Sequence, residues 1–400
     1  MPVMGRLTIG DVDLAGKKVL CRVDFNVPIK GGVITDDTRI QAALPTIQAL
    51  SGTVLALCSH FGRPKGKVDP AQSLKPCAAR LSELLGKPVT FLDDCVGDAV
   101  AAAVATARPG DVLLLENTRF HAEEESKDEA ARAKFAAQLA APFEAYVNDA
   151  FGSSHRKHAS VYDVAAILKP AVAGLLMEKE VAALHKLMSQ PQQGFVALLG
   201  GAKVDDKIGV LRALLARCEK VLVGGAMAWA FFKARGYDIG ASLSTPESLA
   251  AARELIDDPA VDLSRMLLPT DCVMRFRWGS GRQIKAVPVT MMRPGWSAVD
   301  IGACTAATFC AEVLAAKAVF WNGPMGLFEV PPYDMGTFAV AHAVADCAGY
   351  TVVGGGDSIA AVEQAGVADR IDHISTGGGA SLEFIEFGSL PGIDALNPEN

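Results

Sequence analysis

Short apolar runs, bounded by glycine, proline and polar residues, recur along the chain with stretches of helical periodicity between them. In the first half the runs cover 19–23 (VLCRV), 53–58 (TVLALC), 111–115 (DVLLL) and 144–147 (EAYV), and the helical patterns include 74–85 and 127–139. Runs this short and this apolar read as strands buried on both faces, and their alternation with helices predicts a parallel α/β sheet. Residues 174–188 (GLLMEKEVAALHKLM) break the alternation with an amphipathic helix long enough to join two domains. Beyond it the pattern resumes with runs at 195–199, 220–223, 318–321, 351–353 and 373–375. The stretch 274–294 has little periodicity and predicts no element. The expected organisation is therefore a domain over 1–172, a connecting helix over 173–193 and a second domain over 194–388.

In open parallel sheets, ligands bind beyond the carboxyl ends of the strands, so the residues that follow each run are the candidates for chemistry. The first run ends in Arg22, Asp24 and Asn26 (RVDFNVP) and the second in His60 and Arg63 (SHFGRPKG). Arg119 (ENTRF) follows the third, and Asp149, His155 and Arg156 (NDAFGSSHRKH) follow the fourth, while Arg39 opens the first helix. Any one of these is ordinary as a surface charge or a loop histidine. Arginines recurring at successive strand ends would repel one another without an anion, and their planar forks suit phosphate and carboxylate oxygens. The pattern predicts a pocket for a small polyanion. The acidic run Glu123 to Glu125 reads as a solvated helix start.

Strand ends in the second half carry glycines instead. In LLGGAKVDDK (198–207) a strand meets Gly200-Gly201, and Lys203 and Lys207 follow one helical turn apart, placed to reach one anion. Gly224-Gly225, Asn322-Gly323, Gly354-Gly355-Gly356 and Gly377-Gly378-Gly379 close other runs, and Asp357-Ser358 begins a helix whose N-terminus favours anions. A carboxylate repels bare phosphate, so Asp357 suits a phosphate-bound magnesium, for which oxygen ligands are usual. This half reads as a nucleotide site. It has neither GxxxxGK[ST] nor a GxGxxG dinucleotide fingerprint, which argues against an NAD-type oxidoreductase.

Length and charge narrow the classes further. The 400 residues allow two cores, and with 50% apolar and 21% charged residues the chain is globular. A net charge of -7 argues against nucleic-acid or anionic-membrane binding, so any basic site must be local. No apolar run reaches the length of a membrane span, and 1–10 lacks the core of a secretory signal; a cytoplasmic protein is expected. The 9 cysteines show no CxxC pair or metal-ligand spacing and read as reduced, mostly buried hydrophobes.

Taken together, RVDFNVP (22–28), SHFGRPKG (59–66), LLENTRF (114–120), NDAFGSSHR (148–156), LLGGAKVDDK (198–207), VFWNGPMGLFE (319–329), VVGGGDS (352–358) and STGGGAS (375–381) resemble the phosphoglycerate kinases nearly end to end. The resemblance implies two Rossmann-like three-layer αβα domains with parallel sheets, joined by a helix and facing across a cleft, with the peptide 389–400 returning to the first. It implies reversible phosphoryl transfer between 1,3-bisphosphoglycerate and ADP, giving 3-phosphoglycerate and ATP, in a monomer that closes about a hinge. By it, Arg22, Asp24, Asn26, Arg39, His60, Gly62, Arg63, Arg119 and Arg156 hold 3-phosphoglycerate or 1,3-bisphosphoglycerate. Magnesium-complexed ADP or ATP falls to Gly200, Gly201, Lys203, Lys207, Gly224, Gly225, Asn322, Glu329, Gly355, Gly356, Asp357 and Ser358, with Asp357 toward the metal. Arg39, Lys203, Lys207, Gly356 and Gly379 are the implied catalytic set. Two departures stand out: Ser358 where threonine is common, and Ala303-Cys304 where proline and a polar residue are usual, the second bearing on a helix start near the nucleotide and leaving Cys304 either exposed or a buried thiol. A non-catalytic anion-binding scaffold on the same fold would show losses at the motif lysines or arginines; none is lost.

Overall fold

A computed structural model describes residues 5–201, 207–276 and 283–398. The chain divides into two compact units, one comprising 1–182 with 389–400 and the other 183–388.

The first unit is built on six parallel strands: β1 (Lys18–Arg22), β2 (Val54–Cys58), β3 (Val89–Leu92), β4 (Val112–Leu115), β5 (Ala145–Asn148) and β6 (Ala171–Ala173), in the order β3-β4-β2-β1-β5-β6. Helices α1 (Thr38–Ala49), α2 (Lys75–Leu85), α3 (Asp98–Thr106) and α4 (Glu129–Ala140) connect them. Alternation along each strand explains the apolar runs. Val19 and Cys21 of β1, Leu55 and Leu57 of β2, and Leu114 of β4 pack with Ile40 and Ile47 of α1 and Leu81 of α2. Leu20 and Arg22 point to the opposite face, and both are fully buried. With both faces covered, the strands have no polar side to alternate. Strand β1 is central, flanked by β2 and β5, so its end faces the middle of the sheet edge.

The second unit repeats the plan with β7 (Phe195–Leu199), β8 (Lys220–Val223), β9 (Met266–Leu267), β13 (Ala318–Asn322), β14 (Tyr350–Gly354) and β15 (His373–Ser375), ordered β9-β8-β7-β13-β14-β15 and parallel throughout. Between β9 and β13 lie β10 (Asp271–Phe276), β11 (Ile284–Pro288) and β12 (Trp296–Ile301), an antiparallel sheet in the order β11-β10-β12. That sheet is a correction to the sequence reading, which found no element over 274–294. Strand β11 is exposed or half-buried along its whole length, so its burial leaves no apolar face to read.

Helix α5 (Leu175–Met188) spans the change of unit, and α6 (Ile208–Arg217), α7 (Gly225–Ala234), α8 (Pro246–Asp257), α9 (Ala303–Leu314), α10 (Met335–Asp346), α11 (Gly356–Gln364) and α12 (Gly378–Phe387) complete the second. The core on one face of its sheet sets Val196, Leu198, Val319 and Trp321 against Phe309 of α9 and Val344 of α10. The chain then returns to the first unit: the Leu7 N–H donates to the Asn397 carbonyl at 2.9 Å, and the Asn397 N–H to the Ala171 carbonyl at 2.8 Å. Asn148 Nδ2, at the end of β5, donates to the Gly392 carbonyl at 3.1 Å.

Candidate active site

The strand ends of the first unit bring together most of the residues that the sequence singles out. Arg39 Nη1 donates to Asp24 Oδ1 at 3.0 Å, and Asp24 also takes the Asn26 N–H at 3.1 Å. Asn26 Oδ1 accepts from the Gly62 N–H at 3.0 Å, and the Gly62 carbonyl accepts from Arg119 Nη1 at 2.7 Å. This chain of bonds threads the ends of β1, β2 and β4 and fixes Arg39 and Arg119 in place. Gly62 contributes its backbone, at φ +59, a conformation that favours glycine. Arg63 and Arg156 are exposed, and Arg156 Nε donates to His155 Nε2 at 2.9 Å.

Burial works against ionisation of Asp24, but His60, Arg39 and Arg22 outweigh it and bring its carboxyl down to about 2. Burial, reinforced by neighbouring arginines and opposed in His60 by Asp24, lowers the histidines as well and so disfavours their charged form. His60 titrates well below its usual range, His155 at about 4 and His158 at about 3. At neutral pH the positive charge therefore belongs to the arginines and the imidazoles are neutral. Arg119 Nε, His155 Nδ1 and His158 Nδ1 are buried without a hydrogen-bond partner among the described residues. Buried polar atoms are ordinarily paired, so these orphans mark where a ligand would complete the network.

Arg22 corrects the expectation of direct substrate contact. It is fully buried, donating from Nε to Ser160 Oγ at 2.8 Å and from Nη1 to the Val23 carbonyl, with Nη2 3.1 Å from His60 Nδ1. A side chain enclosed in this way supports His60 from beneath and does not line a ligand surface. Glu124 is a second correction, because the run 123–125 is not simply solvated. Its carboxylate is fully buried, accepting from Ser160 Oγ at 2.6 Å, the Ser160 N–H at 3.0 Å and Thr118 Oγ1 at 3.2 Å. Glu124 is the missing counter-charge for Arg22, relayed through Ser160. Arg119 likewise has an acidic partner in Glu125, 2.9 Å away.

In the second unit, the ends of β7 and β13 press together. The Gly200 N–H donates to the Asn322 carbonyl and the Gly201 N–H to the Pro324 carbonyl, both at 3.0 Å, while a Cβ on Gly200 would lie 2.1 Å from the Pro324 carbonyl oxygen. The Gly224 and Gly225 N–H groups go to the Leu199 and Met325 carbonyls. These four glycines thus spend their N–H groups inside the fold, and what they contribute is close approach of backbone to backbone. Gly356 and Gly379, in the first turns of α11 and α12, differ: a Cβ at either would meet nothing within 4 Å, and first-turn N–H groups lack intrahelical acceptors. Gly355, just before α11, has φ +94 and faces Asn322 Nδ2, a buried donor without a partner among the described residues.

Lys207 lies at the N-cap of α6 and not on a helical face, with Nζ donating to the Gly200 carbonyl at 3.0 Å and to Asn322 Oδ1 at 2.9 Å. Lys203, its expected companion, falls outside the described residues. Ser358 is fully buried, and its Oγ accepts the Gly323 N–H at 2.5 Å. It therefore shapes the Gly323 turn rather than presenting its oxygen to a ligand. Gly201, Gly225, Glu329 and Asp357 line one cavity of about 400 Å³ beside these turns, a size suited to a small-molecule ligand.

The sequence pattern of the phosphoglycerate kinases matches residues 9–387. The chain belongs to the phosphoglycerate kinase family. It is 50% identical to the phosphoglycerate kinase of Rippkaea orientalis, over 98% of both chains, and 51% identical to that of Moorella thermoacetica, over 98% of this chain and 99% of the other. Its fold resembles those of two solved structures. One is the phosphoglycerate kinase of Coxiella burnetii, with TM-score 0.83 and 37% identity, and the other is that of Pyrococcus horikoshii, with TM-score 0.85 and 32% identity; each comparison covers 98% of both chains. Two α/β units on parallel sheets are thus the fold of a family of glycolytic phosphotransferases.

Against this phosphoglycerate kinase frame, the departure at 303–304 leaves the helix start intact. Asp271, on β10, takes the Thr305 N–H at 2.8 Å and the Cys304 N–H at 3.1 Å, capping α9 from outside the helix. Cys304 is exposed, which overturns the alternative of a buried structural thiol. Asp300 is a site residue the sequence reading missed. It is buried in the cavity wall, with Oδ2 accepting the Gly336 N–H at 2.7 Å, and burial raises its carboxyl to about 7. The available signal was an acidic residue closing an apolar run directly ahead of a helix.

Proposed function

We propose that this chain transfers a phosphoryl group reversibly between 1,3-bisphosphoglycerate and ADP, giving 3-phosphoglycerate and ATP. The observation that carries the reading is the pairing of two unlike sites: an arginine cluster with orphaned buried donors in one unit, and an open-faced glycine cradle beside Asp357 in the other. Asp24, Asn26, Arg39, His60, Arg63, Arg119 and Arg156 take the phosphoglycerate, with Gly62 and Arg22 supporting them. Phosphoryl transfer to a carboxylate needs no general base, so catalysis rests on positioning and charge neutralisation. Arg39 and Lys203 stabilise the transferring group, and the Gly356 and Gly379 backbones together with Lys207 steady the nucleotide phosphates.

The nucleotide side also fits magnesium. Asp357 is exposed in the first turn of α11 and lines the cavity, and Gly355, just ahead of it, abuts the unpartnered Asn322 amide. Asp357 would hold magnesium bound to phosphate oxygens, and the cation would supply positive charge there. Glu329, at the rim of the same cavity, is assigned to the nucleotide ribose. The reading includes a cytoplasmic monomer whose two ligands meet by hinge closure, since water must be kept from the acyl phosphate. A coupled assay with 3-phosphoglycerate and magnesium ATP tests it. Turnover is expected, and ligand binding without turnover would favour the anion-binding scaffold instead. Small-angle scattering should show compaction only with both ligands present.

A further inference from the structure

A second cluster of chemically capable side chains lies in the first unit, among residues that the phosphoryl-transfer reading does not use. Asp94 and Cys95 follow β3, and His121 follows the turn that carries Arg119. A carboxylate oxygen, a thiol sulfur and an imidazole nitrogen from these three lie within 4.8 Å of one another. His121 Nε2 is 2.8 Å from Asp94 Oδ1, and the His121 ring stacks on Phe135 with centroids 4.9 Å apart. The Cys95 and Val96 N–H groups donate to the same Asp94 oxygen at 2.6 and 3.3 Å. Asp94 is thus held by its own loop, with Oδ2 carrying no protein hydrogen bond among the described residues.

From this geometry we propose that Asp94, Cys95 and His121 form a site for a zinc-class divalent cation, with water completing a tetrahedron. Sulfur, nitrogen and carboxylate oxygen together suit zinc, whereas magnesium and calcium take all-oxygen sets. Insertion is a small movement. Ligand bonds of about 2.0–2.3 Å put tetrahedral ligand atoms roughly 3.3–3.7 Å apart. From the observed spacing the Nε2 to Oδ1 pair widens by about half an ångström and the sulfur closes in by at most about 1.5 Å on that scale. Asp94 is exposed and His121 half-exposed, so the cation has a path from solvent, while Cys95 forms the buried floor.

Without a cation the thiol stays protonated, because burial and then Asp94, Glu124 and Cys58 all push its titration up. Binding forms the sulfur–metal bond and releases that proton to solvent, so affinity rises with pH. The site would pin the loop after β3 to His121, two residues beyond Arg119, and so brace the anion cluster from behind.

The test is titration of the full-length, reduced protein with cobalt(II) in the absence of nucleotide. A saturable band of thiolate-to-cobalt charge transfer at one equivalent is expected, displaced by zinc, with a zinc-dependent rise in Tm. Cys95→Ser should abolish the band. His121→Ala, at a half-exposed position that preserves folding, should weaken cobalt affinity by at least about tenfold. The all-oxygen magnesium site yields no such band, so failure here is separable from failure of the kinase reading. Absence of the band in the folded wild-type protein overturns the proposal, as does a band unaffected by His121→Ala.

Discussion

Asn322 receives the Lys207 ammonium on its side-chain oxygen at 2.9 Å, while its own amide nitrogen is buried without a partner among the described residues. One side chain thus orients a cation and offers a donor to the same place. Asn322→Ala removes both, and a hydrogen bond to a charged group contributes about 1.5–3 kcal/mol. The KM for nucleotide should rise by roughly one to two orders of magnitude, with the KM for 3-phosphoglycerate unchanged, in steady-state assays that vary each substrate. Equal changes in both would show that Asn322 acts through general stability.

Arg39 is half-exposed and held at 3.0 Å by Asp24, so its position is set before any ligand arrives. Its charge should matter most when the transferring oxygens are most anionic. Arg39→Ala should lower kcat by about 10²–10³ with little change in nucleotide Kd by calorimetry. Arg39→Lys should recover only part of this, since a lysine cannot present the same planar fork.

Glu124 and Arg22 are buried charges joined through Ser160. Removing one member of such a pair leaves the other uncompensated, at a cost of about 3–5 kcal/mol. Glu124→Ala should shift the urea midpoint accordingly, and a double-mutant cycle with Arg22→Met should show coupling. Arg63→Ala, at an exposed position, should stay within about 0.5 kcal/mol in the same experiment while weakening 3-phosphoglycerate binding.

Asp149 caps α5, its Oδ1 accepting the Leu176 and Met177 N–H groups at 2.9 and 3.3 Å while Oδ2 stays buried and unpartnered. Burial dominates the hydrogen bonds from the Met177 and Leu176 N–H groups and raises its carboxyl to about 7. The folded state therefore keeps its proton between about pH 4 and 7, where the unfolded chain has lost it, so Asp149 makes stability fall as pH rises through that window. Asp149→Asn keeps an acceptor oxygen and removes the titration. It should flatten that part of the pH profile and stabilise the protein at pH 8 by roughly 1–3 kcal/mol, measured by denaturant unfolding across pH.

The strands of both parallel sheets were legible because they are buried on both faces, which is why Val54–Cys58 and Phe195–Leu199 read as unbroken apolar runs. Strand Val89–Leu92 is not legible because it is a half-exposed edge, nor are Ala171–Ala173 and Met266–Leu267, because two or three residues carry no period. The site was legible as residue types at strand ends, but not as a division of labour. Which arginine is enclosed depends on Ser160 and Glu124, each far from Arg22 in sequence. Whether a glycine donates or merely yields space depends on a carbonyl such as that of Pro324, across the sheet from Gly200. Both are properties of tertiary contact, to which a motif is blind.

The return of residues 389–398 to the first unit has a consequence for biosynthesis. The hydrogen bond from Asn148 to Gly392 and the pairing of Leu7 with Asn397 tie residues 389–398 to the first unit across the whole intervening second unit in sequence. The segment 183–388 can emerge from a ribosome and fold whole, while the N-terminal unit, translated earlier, lacks its last strut until residues 389–398 have followed. The half made first is therefore the half finished last, and a nascent chain stalled near residue 388 should carry a mature second unit beside an N-terminal one still open to proteolysis.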